Sequence, residues 1–551
     1  MCVVCSCVRT VRDRVSADAS SLRARQAGPA TTDTRQAGPA AVDTRRSWAR
    51  TVAWVLAVGL ILHRTFVLPL QGERTDDFSR VYEALSRFLG GEAVYTEYLG
   101  DATPHYLYSP GATVILSPIA AVSGDTEVAR FWFVCINAVG VIAGLAWLWR
   151  RARLSFTGWL FPLALAGVFL TESVTNTLRF SNINGVLSAL LAVVLVGVAG
   201  PPRGRGDGDG AVARPGRRGR RGRDGDGVAR GRGRAAGGGV ARQAVPGVAL
   251  GLLILVKPFF AVLLLLPLLR RRFLLLGAAV AVPVVANVVG YLLLPDADAY
   301  RTTLMPYLRI VRSYANASIA GLGAAHGWPA VLVVGLRVVV AVGVVVGMWT
   351  VTARLWHRSF AWACAMSTIL LSGTFVVATL GQQYYSLFLI PAVFTLRAAP
   401  RLFGGVTGAA GLLLVLSHNA VGSVGPVPLT GEVMTCIGWT LVIAAPVVAA
   451  VRDRRRQPAR GAARARGRAD AEGAVADRAD AAPAPAVHGR RPVAGRRPVR
   501  EGSRPDSRSR GRHRAGRGPA GTTGDLGELG DRGELGGRGG RADRGRPAVQ
   551  G

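Results

Sequence analysis

Apolar runs long enough to cross a bilayer set the first limit on what this chain can become. They occupy residues 48–70, 128–149, 156–170, 186–198, 245–288, 331–351, 360–380, 387–396, 402–416 and 435–451. A helix needs about 20 apolar residues to traverse the hydrocarbon core, and lipid admits only backbone that satisfies its own hydrogen bonds. The pattern predicts an all-α, polytopic transmembrane helical bundle with about 10–12 passes, some of them short. The chain is 50% hydrophobic and still carries a net charge of +34. Such charge on a soluble domain would point to nucleic acid. Here charge and hydrophobicity occupy different segments, so no nucleic-acid partner is expected.

The arginines collect in low-complexity blocks. Residues 1–47 contain RQAGPA twice, residues 203–242 hold 12 Arg against 4 Asp among glycines, and residues 452–551 form an Arg/Ala/Gly/Pro tail. None has enough apolar surface to offset its ordering entropy, so all are expected to be disordered. This leaves residues 48–451 as the membrane domain, with 203–242 inserted in it. Basic segments stay cytoplasmic and lie against anionic lipid. Both termini and the 203–242 linker are therefore expected inside a multi-pass cell-membrane protein. Cys2, Cys5 and Cys7 have ligand-like spacing but no partner Cys/His cluster, and no metal is expected. Cys135, Cys364 and Cys436 read as core residues. No signal-peptide apolar stretch precedes residue 48, so the first span is expected to be retained.

Smaller arginine clusters refine the threading. RRAR at 150–153, RRR at 270–272, RLWHR at 354–358 and RAAPR at 397–401 all belong on the cytoplasmic side. That poses a difficulty for residues 245–269, which are basic at both ends. The only lysine of the chain, Lys257, sits mid-run and is followed by Pro258. A charge at that depth costs about 2.5–3.5 kcal/mol or more. A break at Lys257-Pro258 would give two half-helices meeting at an outward apex; the alternative is one kinked helix with a snorkelling lysine.

The first outer loop opens on Asp76 and Asp77, followed by Val81, Ala84, Leu85 and Phe88 at helical spacing and by Gly90-Gly91 as a stop. A Tyr/Pro-rich stretch through Tyr95, Tyr98, Tyr106, Tyr108 and Pro110 comes next. An amphipathic helix lying on the membrane, with tyrosines at headgroup level and an aspartate as N-cap, accounts for these residues without function. Residues 111–122 are too short to span and read as re-entrant or interfacial.

In order, these features resemble glycosyltransferase family 87, a group of GT-C integral-membrane enzymes that includes polyprenyl-phosphate-mannose-dependent α-mannosyltransferases. The first loop matches through Asp-Phe, Val-Tyr, Leu-Gly-Gly and Tyr-x-Tyr-x-Pro. The family's Gly-Gln-x-Asn looks like Ser181-Asn182-Ile183-Asn184, where only the last residue agrees. Its Lys-Pro helix matches GVALGLLILVKP at 247–258, and its Asn-x-Ser matches Asn316-Ala317-Ser318. Its His-Tyr falls on Tyr384-Tyr385, so the histidine is missing.

The resemblance implies a GT-C-like fold with an extracytoplasmic active site. There a hexose, mannose by the family's precedent, would pass from a polyprenyl-phosphate donor to a hydroxyl of a glycolipid or glycan acceptor. A first-loop carboxylate would act as general base in an inverting displacement: Asp77, with Asp76 as runner-up. Fixed cations would stabilise the leaving lipid phosphate: Lys257, with Arg179, Arg309 and Arg312 as alternatives. Tyr82, Asn184, Asn316, Gln383 and Tyr384 are candidate sugar contacts, the amides having helix capping as an equal reading. No Gly-rich nucleotide loop occurs, and no cofactor is expected. The rival reading is a transporter or flippase of lipid-linked intermediates, since broken helices and intramembrane charge occur there too.

Overall fold

The apolar runs become helices, as backbone in lipid must. A computed structural model describes residues 39–70, 77–96, 105–201, 229–417, 423–424, 427–428 and 430–480. Asp76, the Cys2/Cys5/Cys7 cluster, residues 202–228 and residues 481–551 lie outside the described residues. The compact body is Met1–Ala471; of the second unit, Glu472–Gly551, residues 472–480 are described and are helical.

Helix α1 (Pro39–Leu62) loosens into a π turn at His63–Val67 and a 3-10 turn at Leu68–Leu70. The loop beyond holds α2 (Asp77–Leu89) and α3 (Pro110–Leu116). Then come α4 (Thr126–Arg151), α5 (Leu160–Leu170), α6 (Glu172–Arg179) and α7 (Asn184–Ala199). The second half contains α8 (Ala229–Val256), α9 (Phe273–Leu293), α10 (Ala330–Leu355), α11 (Ser359–Val377), α12 (Val406–Leu416) and α13 (Gly431–Asp480). Among the described residues, 6 helices are long and apolar enough to span a membrane: Ser47–Val67, Thr126–Arg151, Phe273–Leu293, Ala330–Leu355, Ser359–Val377 and Gly431–Arg455. Residues Gln383–Thr395 form a 13-residue 3-10 helix containing Pro391. At ~2.0 Å per residue it extends about 26 Å, close to a hydrocarbon thickness. A two-residue ladder pairs Ser423–Val424 with Val427–Pro428 ahead of α13.

Close glycine contacts reveal the directions of the helices. Gly140 of α4 rests on the backbone of Gly185 in α7, and Gly144, one turn later, rests on Ser188 and Ala189. The two helices are therefore parallel, and α5 with α6 is the returning leg between them. Likewise Gly247 of α8 meets Leu275 and Ala278 of α9, while Gly251 meets Ala279 and Val282. Two consecutive parallel helices require the chain to come back between them. It does so through a 3-10 helix at Pro258–Leu264 and a short helix at Leu265–Leu269. The break expected at Lys257-Pro258 is present: Lys257 is extended (φ −136°, ψ 98°), the conformation that a following proline favours. A single kinked helix is ruled out.

The arginine clusters converge at one end of this bundle. Arg151 donates to the Gly200 carbonyl at 2.9 Å, Arg270 to the Trp356 carbonyl at 2.7 Å and Arg358 to the Ala398 carbonyl. Arg354 pairs with Asp453 of α13 at 3.0 Å. The first-loop helix lies at the other end of α4. Its Phe78, Val81, Tyr82, Ala84 and Leu85 are buried, with the Phe78 ring 4.9 Å from that of Phe133. The apolar face of α2 thus packs on protein rather than on a membrane surface, and Gly91, at φ 74°, turns the chain after it.

Two further segments bear on the sequence reading. Helix extends into parts of the blocks read as disordered: 39–47 in α1, 229–242 in α8 and 452–480 in α13. A membrane span has already met the cost of nucleation, and Ala and Arg propagate a helix well in 39–47 and 452–480; the glycines of 229–242 do not favour it. The segment read as re-entrant or interfacial, 111–122, forms α3 and a turn of helix at Pro118–Ala121. It folds into the bundle with Gly111 against Ala286 and Asn287, and Gly111 N donates to Asn287 Oδ1 at 3.0 Å.

Candidate active site

Asp77 is the first residue of α2, where the helix dipole and free amides favour a carboxylate in its ionised form. Its backbone N–H donates to the Phe180 carbonyl at 3.0 Å, and its Oδ2 accepts from Asn182 Nδ2 at 2.6 Å. The turn that presents Asn182 passes through Ser181 at φ 50°. Arg130 holds it, donating from Nε to Ser181 Oγ at 3.1 Å and from Nη2 to the Pro69 carbonyl at 3.2 Å. The carboxylate is thus oriented by a turn remote in sequence, itself held by Arg130. It lines a small cavity with Phe78, Tyr108, Ser181 and Asn182.

Lys257 reaches the same neighbourhood from the break after α8. It is buried, and its Nζ lies 4.8 Å from the Tyr385 ring centre and 5.4 Å from that of Tyr384. Cation–π contacts of this kind are worth about 0.5–2 kcal/mol each, depending on desolvation. Phe259, next to the break, packs on Tyr385 at 4.7 Å and Phe375 at 5.2 Å, so an aromatic wall fixes the apex. Asp77 lies close enough to act electrostatically on Lys257, Tyr108, Tyr384 and Tyr385. Burial, reinforced by the Asp77 carboxylate, pushes the Tyr108 phenol up, so it stays a neutral hydrogen-bond donor.

The other expected site residues divide. Arg312 sits near the tyrosine pair, acting electrostatically on both rings and donating to the Tyr307 hydroxyl at 3.1 Å. Arg179 and Arg309 are exposed, and Arg179 lies over the ring of its neighbour Phe180. Asn184 is wholly buried, and both polar atoms of its amide lack a hydrogen-bond partner. Tyr384 is buried with its hydroxyl bonded to Gln382, and Gln383 beside it is half-buried. Tyr82 is tied to the Ser123 carbonyl at 2.7 Å.

Asn316 has a different occupation. Its Nδ2 donates to the carbonyls of Arg312 at 3.0 Å and Thr379 at 2.8 Å. Its Oδ1 accepts from the amides of Ser318 at 3.1 Å and Gly381 at 2.9 Å. All its bonding capacity goes to backbone, so it clamps the 312–318 loop to the turn after α11 and has none left for a sugar. Asn316→Ala would strand these buried groups at about 1–3 kcal/mol each. We expect a lowered thermal midpoint in detergent with an unchanged donor KM in whatever folded fraction remains.

Residues missed by sequence reasoning include Arg130, Tyr108 and Tyr385; Asn182 was visible only as a mismatch to the family motif. Tyr95, Tyr106 and Tyr108 do not form a headgroup belt. Tyr106 is buried and bonded to Thr113 at 2.7 Å, and Tyr95 donates to the Tyr108 carbonyl at 3.0 Å. Among the described residues, no three His, Cys, Asp or Glu side chains gather as a metal site.

Comparison with known proteins bears on this arrangement. Residues 106–380 match glycosyltransferase family 87. An α-(1→3)-arabinofuranosyltransferase of Corynebacterium glutamicum is 35% identical over 360 residues, 65% of this chain and 76% of the relative. The chain belongs to glycosyltransferase family 87. α-(1→3)-Arabinofuranosyltransferases of Mycolicibacterium smegmatis and Mycobacterium tuberculosis are each 33% identical, covering 63% of the chain and 72% and 71% of the relatives. The family match takes in Asn182, Asn184, Lys257, Arg312 and Asn316, and begins after Asp77. Membership makes the protein a membrane glycosyltransferase, taking a sugar donor and a glycan or glycolipid acceptor.

Proposed function

We propose that this glycosyltransferase moves an arabinofuranosyl residue from a polyprenyl-phosphate donor to a hydroxyl of a glycan or glycolipid acceptor. The observation that carries the reading is a carboxylate, Asp77, and a buried cation, Lys257, meeting at one end of a membrane bundle. Asp77 takes the acceptor proton as the hydroxyl attacks the anomeric carbon, in a single inverting displacement. Lys257 faces the phosphate that leaves with the lipid and gains charge in the transition state. Arg312 reinforces the positive field, and Tyr108 donates a hydrogen bond to phosphate or sugar. Asn184, with an orphaned buried amide, bonds a sugar hydroxyl.

The named activity of the relatives moves the favoured donor from mannose to arabinofuranose. It also weighs against the transporter reading, which needs no general base. The arginine end faces the cytoplasm by the positive-inside rule, leaving Asp77 and Lys257 on the outer side. Membranes containing the full chain, given polyprenyl-phosphate arabinofuranose and polyprenyl-phosphate mannose in parallel with one acceptor extract, test the donor. Transfer from the arabinofuranosyl donor alone is expected; transfer from the mannosyl donor alone would overturn the sugar assignment. Cleavage of residues 203–242 by protease added outside intact cells would invert the topology.

A further inference from the structure

A large cavity lies at the opposite end of the bundle from Asp77. It measures about 1120 Å³. Arg151 borders it at the last turn of α4, while Phe133 of the same helix touches Phe78 beside Asp77. Along α4 these points are roughly 27 Å apart at ~1.5 Å per residue. The cavity therefore opens towards the other leaflet and takes no part in the chemistry above.

Its lining has two characters. One part is basic: Arg151, Arg153, Arg272, Arg358, Arg397 and His357. Among the described residues no Asp or Glu lines it, and none of these arginines is in an ion pair. The guanidinium groups of Arg153 and Arg397 make no hydrogen bond there either, and Arg151 Nε is buried without a partner. The other part is apolar, walled by Val168, Phe394, Leu413 and Leu416. Leu413 is 54% exposed and Val393 45%, so this wall continues onto the outer apolar face of the bundle.

Guanidinium groups without a carboxylate partner among the described residues at one end, and apolar wall open to the bilayer at the other, match an amphiphile with an anionic head. Arginine is well suited to holding phosphate in paired hydrogen bonds, and basic pockets between membrane helices are a recognised setting for anionic lipid headgroups. We infer that this cavity is a binding site for an anionic phospholipid of the leaflet opposite the Asp77 site. The phosphate sits among Arg151, Arg153, Arg272, Arg358 and Arg397, and an acyl chain lies along α5 and α12. Bound there, the lipid ties the ends of α4, α5, α11 and α12 together.

Purified full-length chain in mild detergent, titrated with short-chain phosphatidylglycerol or phosphatidylcholine and read by native mass spectrometry, tests the inference. Phosphatidylglycerol should be retained at a concentration roughly tenfold or more below phosphatidylcholine. Two variants should each abolish that preference. Arg153→Gln with Arg397→Gln removes two guanidinium groups that bond nothing else among the described residues. Gly167→Phe fills the apolar half, where a Cβ would meet nothing within 4 Å, so folding should survive. Glycerol phosphate, the soluble headgroup, should not compete. Equal retention of both lipids, a preference unchanged in both variants, or displacement by glycerol phosphate alone would each overturn the assignment.

Discussion

Asp77→Asn is expected to lower sugar transfer by roughly 10²–10⁴-fold, the range that a positioned general base supplies, while leaving the protein folded. The amide keeps the shape of the carboxylate. It can also keep the backbone contact from Asp77 N to the Phe180 carbonyl, which starts α2. What it loses is the ability to accept a proton from the attacking hydroxyl, so the deficit should appear in kcat with donor KM little changed. Asn182→Ala leaves the base in place but removes the 2.6 Å bond that aims it. That variant should fall between wild type and Asp77→Asn, and its residual activity should recover in Asn182→Gln only if the longer amide still reaches Oδ2. Asp76→Asn is the companion measurement. Full loss in Asp76→Asn beside full activity in Asp77→Asn would transfer the role to Asp76, and full activity in both would sink the mechanism.

Some of this site was readable before the fold and some was not, for identifiable reasons. The Lys257 break was readable because its signals are local: a proline at the next position, and arginines at both ends of a run too long for one half-pass and too basic for one full pass. Asp77 was readable as the start of a helix because capping chemistry and the spacing of Val81, Ala84 and Leu85 occur within a few turns. The Asn182–Asp77 bond had no such signal. It joins residues 105 apart and depends on Ser181, a non-glycine at positive φ, turning the chain between α6 and α7. The backbone bonds of Asn316 carried no local signal for the same reason. Its motif suggested a sugar contact, while its partners, Thr379 and Gly381, lie more than 60 residues away. Arginine clusters identified one membrane face, but composition could not reveal that several of them border a single cavity.

Lys257→Met gives the sharpest separation between a catalytic cation and a structural one, because the two roles predict opposite signs. Methionine approximates the lysine stem without its charge. In a buried setting that removes a desolvation cost of several kcal/mol and forfeits two cation–π contacts worth about 0.5–2 kcal/mol each, along with attraction to Asp77. The folded protein should therefore be as stable as wild type or more so, read as an unchanged or raised thermal midpoint. Transfer should nonetheless fall roughly 10²–10³-fold, the cost of deleting one preorganised charge or donor at a developing anion. Lys257→Arg should not restore it. A planar guanidinium cannot take the place of a point charge held against the Tyr384 and Tyr385 rings, and the aromatic wall around Phe259 leaves the apex little room to adjust. The loss should also follow the leaving group. A donor analogue whose lipid phosphate is replaced by a better, less basic leaving group needs less stabilisation, so Lys257→Met should be least impaired with it. A variant that lost stability and activity together, with the same deficit for every leaving group, would make Lys257 a packing element of the broken helix and remove it from the chemistry.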